Sequence, residues 1–224
     1  MKNLFLLFWL IFFLPATLFA QTPRYKVADS ILIGGNGWRD YAAIDVSTHR
    51  LFVSHGNRVH VIDLNNNKLI SEITNLNGVH GIAFADEFGK GLISNGRSDT
   101  VTVFSLKTLK NIDNIYVTGK NPDAIVYDPF TKRIFTMNGR SSNATAIDAK
   151  TNKVIGTITF DGKPESCVSN NKGLMYVNLE NKNQIEEFDH AKLKTTKKWS
   201  IEPGESPSGF IQTQFNYRYL YKFV

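Results

Sequence analysis

The segments ISNGRSDTVTVF, residues 93–104, and TMNGRSSNATAI, residues 136–147, carry the same tetrapeptide, Asn-Gly-Arg-Ser. In each place it separates two short runs rich in β-branched and aromatic residues. The tetrapeptide belongs to a longer pattern, because four blocks of similar sequence align along the chain. Their anchor residues, 41, 42 and 41 positions apart, are Phe52, Ile93, Phe135 and Tyr176. The chain is therefore an array of repeats of about 42 residues.

Each block holds four strand-like runs separated by turn residues such as Asn66-Asn67, and no stretch sustains a helical period. Four strands in 40–45 residues are typical of a propeller blade. The pattern predicts an all-β fold, a β-propeller of about four full four-stranded blades plus a shared partial blade. The blades are placed at residues 37–77, 78–120, 121–163 and 164–205, within a propeller region 21–209.

The repeated tetrapeptide is interpreted as the loop that joins the second and third strands of two neighbouring blades. Asn-Gly is common in turns that need a positive φ, so we expect Gly96 and Gly139 to adopt one. The arginine that follows is expected to be an exposed loop residue.

The runs VTVFS (101–105) and especially NATAIDAKTNKVIGTI (143–158) resemble the YVTN-type β-propeller repeat. In this chain the segments that correspond to the YVTN strand of that repeat read LFVSH, LISN, IFTMN and MYVN. The resemblance covers residues 25–210 and implies an exported, bacterial-type propeller, usually of seven blades. It implies no particular activity, because propeller repeats carry many functions.

The first twenty residues have the layout of a secretory signal peptide. Lys2 precedes the apolar run LFLLFWLIFFL (4–14), and Ala16–Ala20 offers a cleavage site before Gln21. An uncleaved anchor is the alternative, but the run is shorter than the roughly 20 residues that span a bilayer. We therefore expect an exported protein, periplasmic or secreted, with no membrane span after cleavage.

The two ends of the repeat array raise the question of ring closure. Residues 25–33 match the outermost strands of the blocks, so they are predicted to complete a blade that the C-terminal part begins. Residues 210–224 form an atypical tail with no further repeat. Either the ring has about five blades, or the chain is truncated, for instance by a frameshift near Phe210. The missing length relative to seven blades favours truncation.

The alignment also predicts a ligand site where the loops enter the innermost strands, at the mouth of the channel. The polar residues at equivalent positions are Asp40, His80, Asp123, Glu165 and Ser208. Together they could hold a divalent cation such as Ca²⁺, or orient a polar small molecule. The alternative is a polar rim without a ligand. Trp38 and Arg39 enter the first blade and could stack on a base or sugar, although packing is the simpler interpretation.

The remaining candidates are weaker. Cys167 is the only cysteine, so the chain forms no internal disulfide, and we expect this thiol to be buried. His55 and His60 lack a third zinc ligand, while His49 and His190 are expected to be solvated. The sequence contains no nucleophile elbow, P-loop, zincin or dinucleotide motif.

Three functions are compatible with these features. The first is an exported binding protein that recognises an unknown small ligand or protein partner at the channel mouth, without catalysis and without an obligatory cofactor. The alternative is a metal-assisted lactonase- or hydrolase-like enzyme at the same residues. A weaker alternative is binding of single-stranded nucleic acid through Trp38 and a basic face, because the net charge is +6 and lysines cluster at residues 192–198.

Overall fold

Four antiparallel sheets of four strands follow one another along the chain. This is seen in the computed structural model, which describes residue 27, residues 30–212 and residues 219–223. Within each sheet the strands lie side by side in chain order. The strands of the four sheets are β1 (Ala42–Asp45), β2 (Arg50–His55), β3 (Arg58–Asp63), β4 (Lys68–Ile73); β5 (Val79–Ala85), β6 (Lys90–Asn95), β7 (Thr100–Ser105), β8 (Asn111–Tyr116); β9 (Pro122–Asp128), β10 (Arg133–Asn138), β11 (Asn143–Asp148), β12 (Lys153–Thr159); β13 (Pro164–Ser169), β14 (Leu174–Leu179), β15 (Gln184–Asp189), β16 (Lys194–Ser200). The predicted all-β class with four-stranded blades is confirmed.

Two further strands, β17 (Pro207–Gln212) and β18 (Tyr219–Phe223), pair with each other. The predicted outer strand at residues 25–33 is not formed at residue 27 or at residues 30–33, which are the part of it that the structure describes. The predicted signal peptide, residues 1–20, lies outside the described residues. Short 3₁₀ helices occur at Asp86–Phe88 and Glu180–Lys182. Among the residues that the structure describes, there is no helix that could span a lipid bilayer.

The hydrophobic core lies between neighbouring blades. Phe52 of the first blade packs against Phe84 and Phe104 of the second, with ring centroids 5.0 and 5.7 Å apart. In the third and fourth blades Phe135 and Phe188 meet in the same way, at 5.7 Å. Because each apolar cluster draws on two successive sheets, blade-to-blade packing stabilises the array.

Cys167 belongs to the cluster between the third and fourth blades and is 4% exposed, which confirms the predicted burial. Burial raises the pKa of its thiol to about 12. The thiol is therefore an inert core group, since the reactive form of cysteine is the thiolate.

His190 corrects one prediction, because it is fully buried rather than solvated. Its Nδ1 lies 2.8 Å from the equally buried carboxylate of Asp128, and its ring stacks on Phe130 with centroids 5.6 Å apart. Asp128 also accepts a hydrogen bond from Ser169. Burial lowers the pKa of His190, with Asp128 opposing the shift. The residue thus joins the turn after β9 to the fourth blade. His49, by contrast, is exposed as predicted.

The turn after β1 is organised by one carboxylate. Asp45 accepts hydrogen bonds from Ser47 at 2.6 Å and from Arg50 at 2.9 Å, as well as from Thr48. Burial alone would raise the pKa of Asp45, but these donors outweigh it and lower the pKa to about 2. Asp45 is therefore charged throughout the physiological pH range, and its charge strengthens the hydrogen bonds that hold this turn.

The Asn-Gly-Arg-Ser loops differ from the predicted geometry. Positive φ angles occur at Asp99 and Ser142, the residue before each third strand, and not at the two glycines. Gly96 is instead required by close packing, because a Cβ there would lie 2.6 Å from His80 Nε2. The same atom at Gly139 would meet nothing nearer than 3.4 Å. The same tetrapeptide thus occurs in two different environments, and only the packing at Gly96 excludes a side chain.

The asparagines of the two tetrapeptides are buried and bind within their own blades. Asn95 Nδ2 donates to Thr102 at 2.9 Å, and Asn138 Nδ2 donates to Thr145 at the same distance. Each threonine is the third residue of the third strand. The repeated asparagine is therefore a structural residue that satisfies buried polar groups at the end of each second strand.

Candidate functional site

The loops that lead into the innermost strands are tethered in the same way in all four blades. In each, a backbone N–H just after the second strand donates to the carbonyl of a loop residue. The donor and acceptor pairs are Gly56 to Trp38, Gly96 to Gly78, Gly139 to Asn121 and Glu180 to Lys163, at 3.0, 2.7, 3.0 and 3.0 Å. The residues two positions after the acceptors are Asp40, His80, Asp123 and Glu165. A repeated backbone contact therefore gives these four side chains equivalent positions.

Three of the four side chains come together. Asp40 Oδ2 lies 2.6 Å from His80 Nδ1, and His80 Nδ1 lies 3.7 Å from Asp123 Oδ1. One potential ligand atom from each residue falls within 4.8 Å of the other two. The exposed fraction of the side chain decreases from 45% at Asp40 to 27% at His80 and 12% at Asp123. We call Asp40, His80 and Asp123 the mouth cluster.

Asp123 carries the most unusual chemistry of the cluster. Its Oδ1 is buried and has no hydrogen-bond partner among the residues that the structure describes. Burial raises the pKa of this carboxyl to about 6, His80 opposes the rise, and Glu165 and Asp40 add to it. A buried carboxylate oxygen without a partner is costly in a folded protein, and such groups concentrate at functional sites.

His80 counterbalances part of this negative charge. Its hydrogen bond with Asp40 raises the pKa of the imidazole, burial opposes the rise, and the Asp123 carboxylate adds to it. The imidazole is hydrogen-bonded to Asp40 through Nδ1, the same nitrogen that faces Asp123. A cation that displaced the hydrogen shared by His80 and Asp40 would find three ligand atoms already gathered.

Glu165 stands beside the cluster with a lysine that the sequence analysis missed. Its Oε2 lies 3.2 Å from Lys163 Nζ, and Lys163 also binds Glu180. Burial raises the pKa of Glu165, and Lys163 opposes the rise. Lys163 is the tethered loop residue of the fourth blade, so the repeat register could have identified it.

Tyr41 is the second residue that sequence reasoning missed. Its side chain packs against the core cluster of the third and fourth blades, although it precedes the first strand. Burial, followed by the charges of Asp123 and Glu165, raises the pKa of its phenol. Tyr41 therefore places a permanently protonated hydroxyl near the carboxylates, and only the folded structure brings it there.

The backbone around Asp123 is held by a buried serine. Ser94 accepts a hydrogen bond from the N–H of Gly81 at 2.8 Å and donates to the carbonyl of Asp123. A Cβ on Gly81 would lie 2.9 Å from that same carbonyl oxygen. Close contact between β5 and β9 therefore fixes the position of Asp123 before any ligand binds.

The other predicted site residues have different environments. Trp38 is 87% exposed, so the expectation that it packs is wrong. Arg39 donates to the carbonyls of Gly34 and Gly35 at 2.7 and 3.2 Å. Ser208 lies at the second position of β17.

The histidine pair of the first blade is buried. His55 Nδ1 and His60 Nε2 lie 2.7 Å apart, and His55 Nε2 lies 3.0 Å from the carbonyl of Asn36. Glu72 lies 3.2 Å from the remaining nitrogen of His60. The two rings are thus hydrogen-bonded to each other and to a backbone carbonyl, whereas the Glu72 carboxylate makes only a close contact with His60, without a hydrogen bond.

The basic cluster at residues 192–198 is largely balanced by carboxylates. Lys198 pairs with Asp161 and lies 3.5 Å from Glu186, while Lys197 lies 3.6 Å from Glu187. Lys192 lies 3.0 Å from its neighbour in the same turn, Asp189. These pairs reduce the positive potential that a nucleic acid would require.

Comparisons with known proteins bear on the fold alone. No family model and no curated protein matches the sequence. The structure is similar to a solved chain of the Kuenenia stuttgartiensis hydrazine synthase, with a TM-score of 0.74 and 16% sequence identity. The match covers 84% of this chain and 56% of that one, so this chain spans little more than half of its neighbour's length. The likeness supports the propeller architecture, and the YVTN-type repeat stays a resemblance.

Proposed function

We propose that this protein is a propeller-type binding protein that holds a divalent cation in the mouth cluster and recognises a small polar ligand there. The observation that carries the proposal is the buried Oδ1 of Asp123, which lacks a hydrogen-bond partner in the described structure and lies 3.7 Å from His80 Nδ1. A metal ion would supply the missing positive charge. Tyr41, with its raised pKa, would serve as a hydrogen-bond donor to the ligand.

The nitrogen and oxygen atoms of the mouth cluster favour a metal such as Zn²⁺ or Mn²⁺. The sequence alone had suggested Ca²⁺. One imidazole nitrogen and two carboxylates suit Zn²⁺ or Mn²⁺. Calcium takes six to eight oxygen ligands, whereas the mouth cluster includes an imidazole. Glu165 lies nearby but is engaged by Lys163, so it would act as an adjustable additional ligand.

Isothermal titration with ZnCl₂, MnCl₂ and CaCl₂ tests this proposal. We expect one zinc or manganese ion per chain and a loss of at least about tenfold in affinity in Asp123→Asn. Glu202→Gln is the matched control, since it removes one exposed carboxylate with no ion pair in the described part of the chain. Equal affinity in the wild type and Asp123→Asn would refute the mouth cluster as the site.

We also propose that the protein is exported. The support is the apolar run at residues 4–14 followed by Ala16–Ala20. Expression in a bacterial host, followed by intact-mass measurement of the periplasmic fraction, should give a chain that begins at Gln21. A full-length chain confined to the cytoplasm would contradict the proposal.

A further inference from the structure

A polar cleft of about 220 Å³ lies between the loop that enters the second blade and the strands β6–β8. Its wall includes Asn75 and Asn77 from the loop, Thr102 from β7, and Asn114 and Tyr116 from β8. The lining residues are amides, hydroxyls, one leucine and one tyrosine, with no charged side chain. The cleft therefore differs in chemistry from the mouth cluster.

The repeat explains why this cleft is open. The entry loops of the second and third blades begin with the same backbone contact, Leu76 N to Asn57 O and Val117 N to Asp99 O. They end at the tethered residues Gly78 and Asn121. The loop of the second blade is therefore two residues shorter between these points.

In the third blade the longer loop fills the equivalent space with a hydroxyl group. Thr118 Oγ1 lies 3.0 Å from Thr145 Oγ1 and 2.8 Å from Thr157 Oγ1. Thr145 and Thr157 face each other across β11 and β12. This blade shows that a hydroxyl fits between the two strands at this level.

In the second blade the same two strand positions are Thr102 and Asn114, which are paired across β7 and β8. With no loop hydroxyl present, Thr102 donates to Asn114 Oδ1 at 2.7 Å. Asn95 Nδ2 donates in turn to Thr102 at 2.9 Å, which completes a chain of neutral polar groups along the cleft. The position that Thr118 occupies in the third blade is therefore open in the second blade, where a hydroxyl group of a ligand could occupy it.

We propose that this cleft binds a neutral saccharide. Side-chain amides both donate and accept hydrogen bonds, which matches the dual character of sugar hydroxyls. Tyr116 stands at the rim with 78% of its surface exposed and offers an aromatic face to the apolar side of a sugar ring. An anionic or cationic ligand would find no charged partner in the lining.

The test is saturation-transfer NMR on the whole protein with glucose, galactose, mannose, N-acetylglucosamine, maltose and cellobiose, each at about 10 mM, a concentration suited to millimolar dissociation constants. We expect transfer to the ring protons of at least one sugar, reduced at least fivefold in Tyr116→Ala and in Asn114→Leu. Thr159→Ala is the matched control, because Thr159 holds the position of Tyr116 in the third blade.

The outcomes separate this inference from the metal proposal. Sugar binding that survives in Asp123→Asn, but not in Tyr116→Ala, supports the cleft as an independent site. No transfer to any of the six sugars overturns the inference. Transfer that is unchanged in both cleft variants also overturns it, because the sugar would then bind elsewhere.

Discussion

Replacing Asp123 by asparagine should stabilise the metal-free protein at neutral pH, although the same change should remove cation binding. The carboxyl is buried, and its pKa is raised from 3.8 to about 6. The folded state therefore holds the proton more tightly than the unfolded state. The resulting stability is present below about pH 4 and is lost as pH rises through about 6. A difference of about 2 pKa units corresponds to roughly 3 kcal/mol.

The gain in the variant should be smaller than this, because His80 loses its attraction to Asp123 while keeping Asp40 as its partner. We expect Asp123→Asn to raise the free energy of unfolding at pH 7.5 by roughly 1–3 kcal/mol. For a chain of this size, about 2 kcal/mol shifts the melting temperature by about 4–8 °C. Near pH 4 the two proteins should melt together, since Asp123 is then protonated.

Thermal melts in EDTA from pH 4 to 8 provide the assay, with Glu202→Gln measured in parallel. Asp40, His80, Glu165 and Lys163 also face this region, so the informative quantity is the difference between wild type and Asp123→Asn at each pH. That difference should grow between about pH 4 and 6 and then level off. A variant that melts below the wild type at pH 7.5 would refute the claim that the buried carboxylate is a cost to the fold.

Three further predictions follow from the structure. Gly96→Ala should lower the free energy of unfolding in urea by about 1–3 kcal/mol and weaken zinc binding, because the new methyl group meets the imidazole of the mouth cluster. Gly139→Ala, in the second copy of the tetrapeptide, should change stability by less than about 0.5 kcal/mol. Equal losses in the two variants would contradict the packing argument. Asp45→Asn should lower the free energy of unfolding by about 2 kcal/mol at pH 7. The variant should also depend less on pH between about pH 4 and 2, where the wild type loses stability as its low-pKa carboxylate takes up a proton. An unchanged midpoint of acid unfolding would contradict this prediction. His190→Ala should cost about 3 kcal/mol, because it opens a cavity in the core and removes the imidazole beside Asp128, which keeps its hydrogen bond from Ser169. The exposed His49→Ala should have little effect. An unchanged midpoint of His190→Ala in chemical denaturation would contradict the buried contact.

The repeat made the sheets predictable. Anchors 41 or 42 residues apart fixed the second strands, and turn residues separated the others, because each blade meets the same packing requirement. The register also placed Asp40, His80 and Asp123 at equivalent loop positions. Their actual proximity could not be derived from spacing, since it depends on the twist and separation of neighbouring blades.

Other features depend on contacts between residues that are far apart in the sequence. His190 follows a strand in the manner of a solvated turn residue, yet its partner Asp128 lies 62 positions earlier. Tyr41 precedes the first blade and packs against the core of the third and fourth. Gly96 and Gly139 share a tetrapeptide, but only the former faces an imidazole. Local sequence cannot distinguish such cases, because tertiary packing decides them.

We propose above that the mouth cluster holds a divalent cation. The most direct test is anomalous diffraction from crystals of the protein grown with ZnCl₂ and measured at the zinc absorption edge. We expect one strong peak about 2.0–2.2 Å from Asp40 Oδ2, His80 Nδ1 and Asp123 Oδ1. An intact hydrogen bond between Asp40 and His80, with the zinc bound elsewhere or absent, would contradict it.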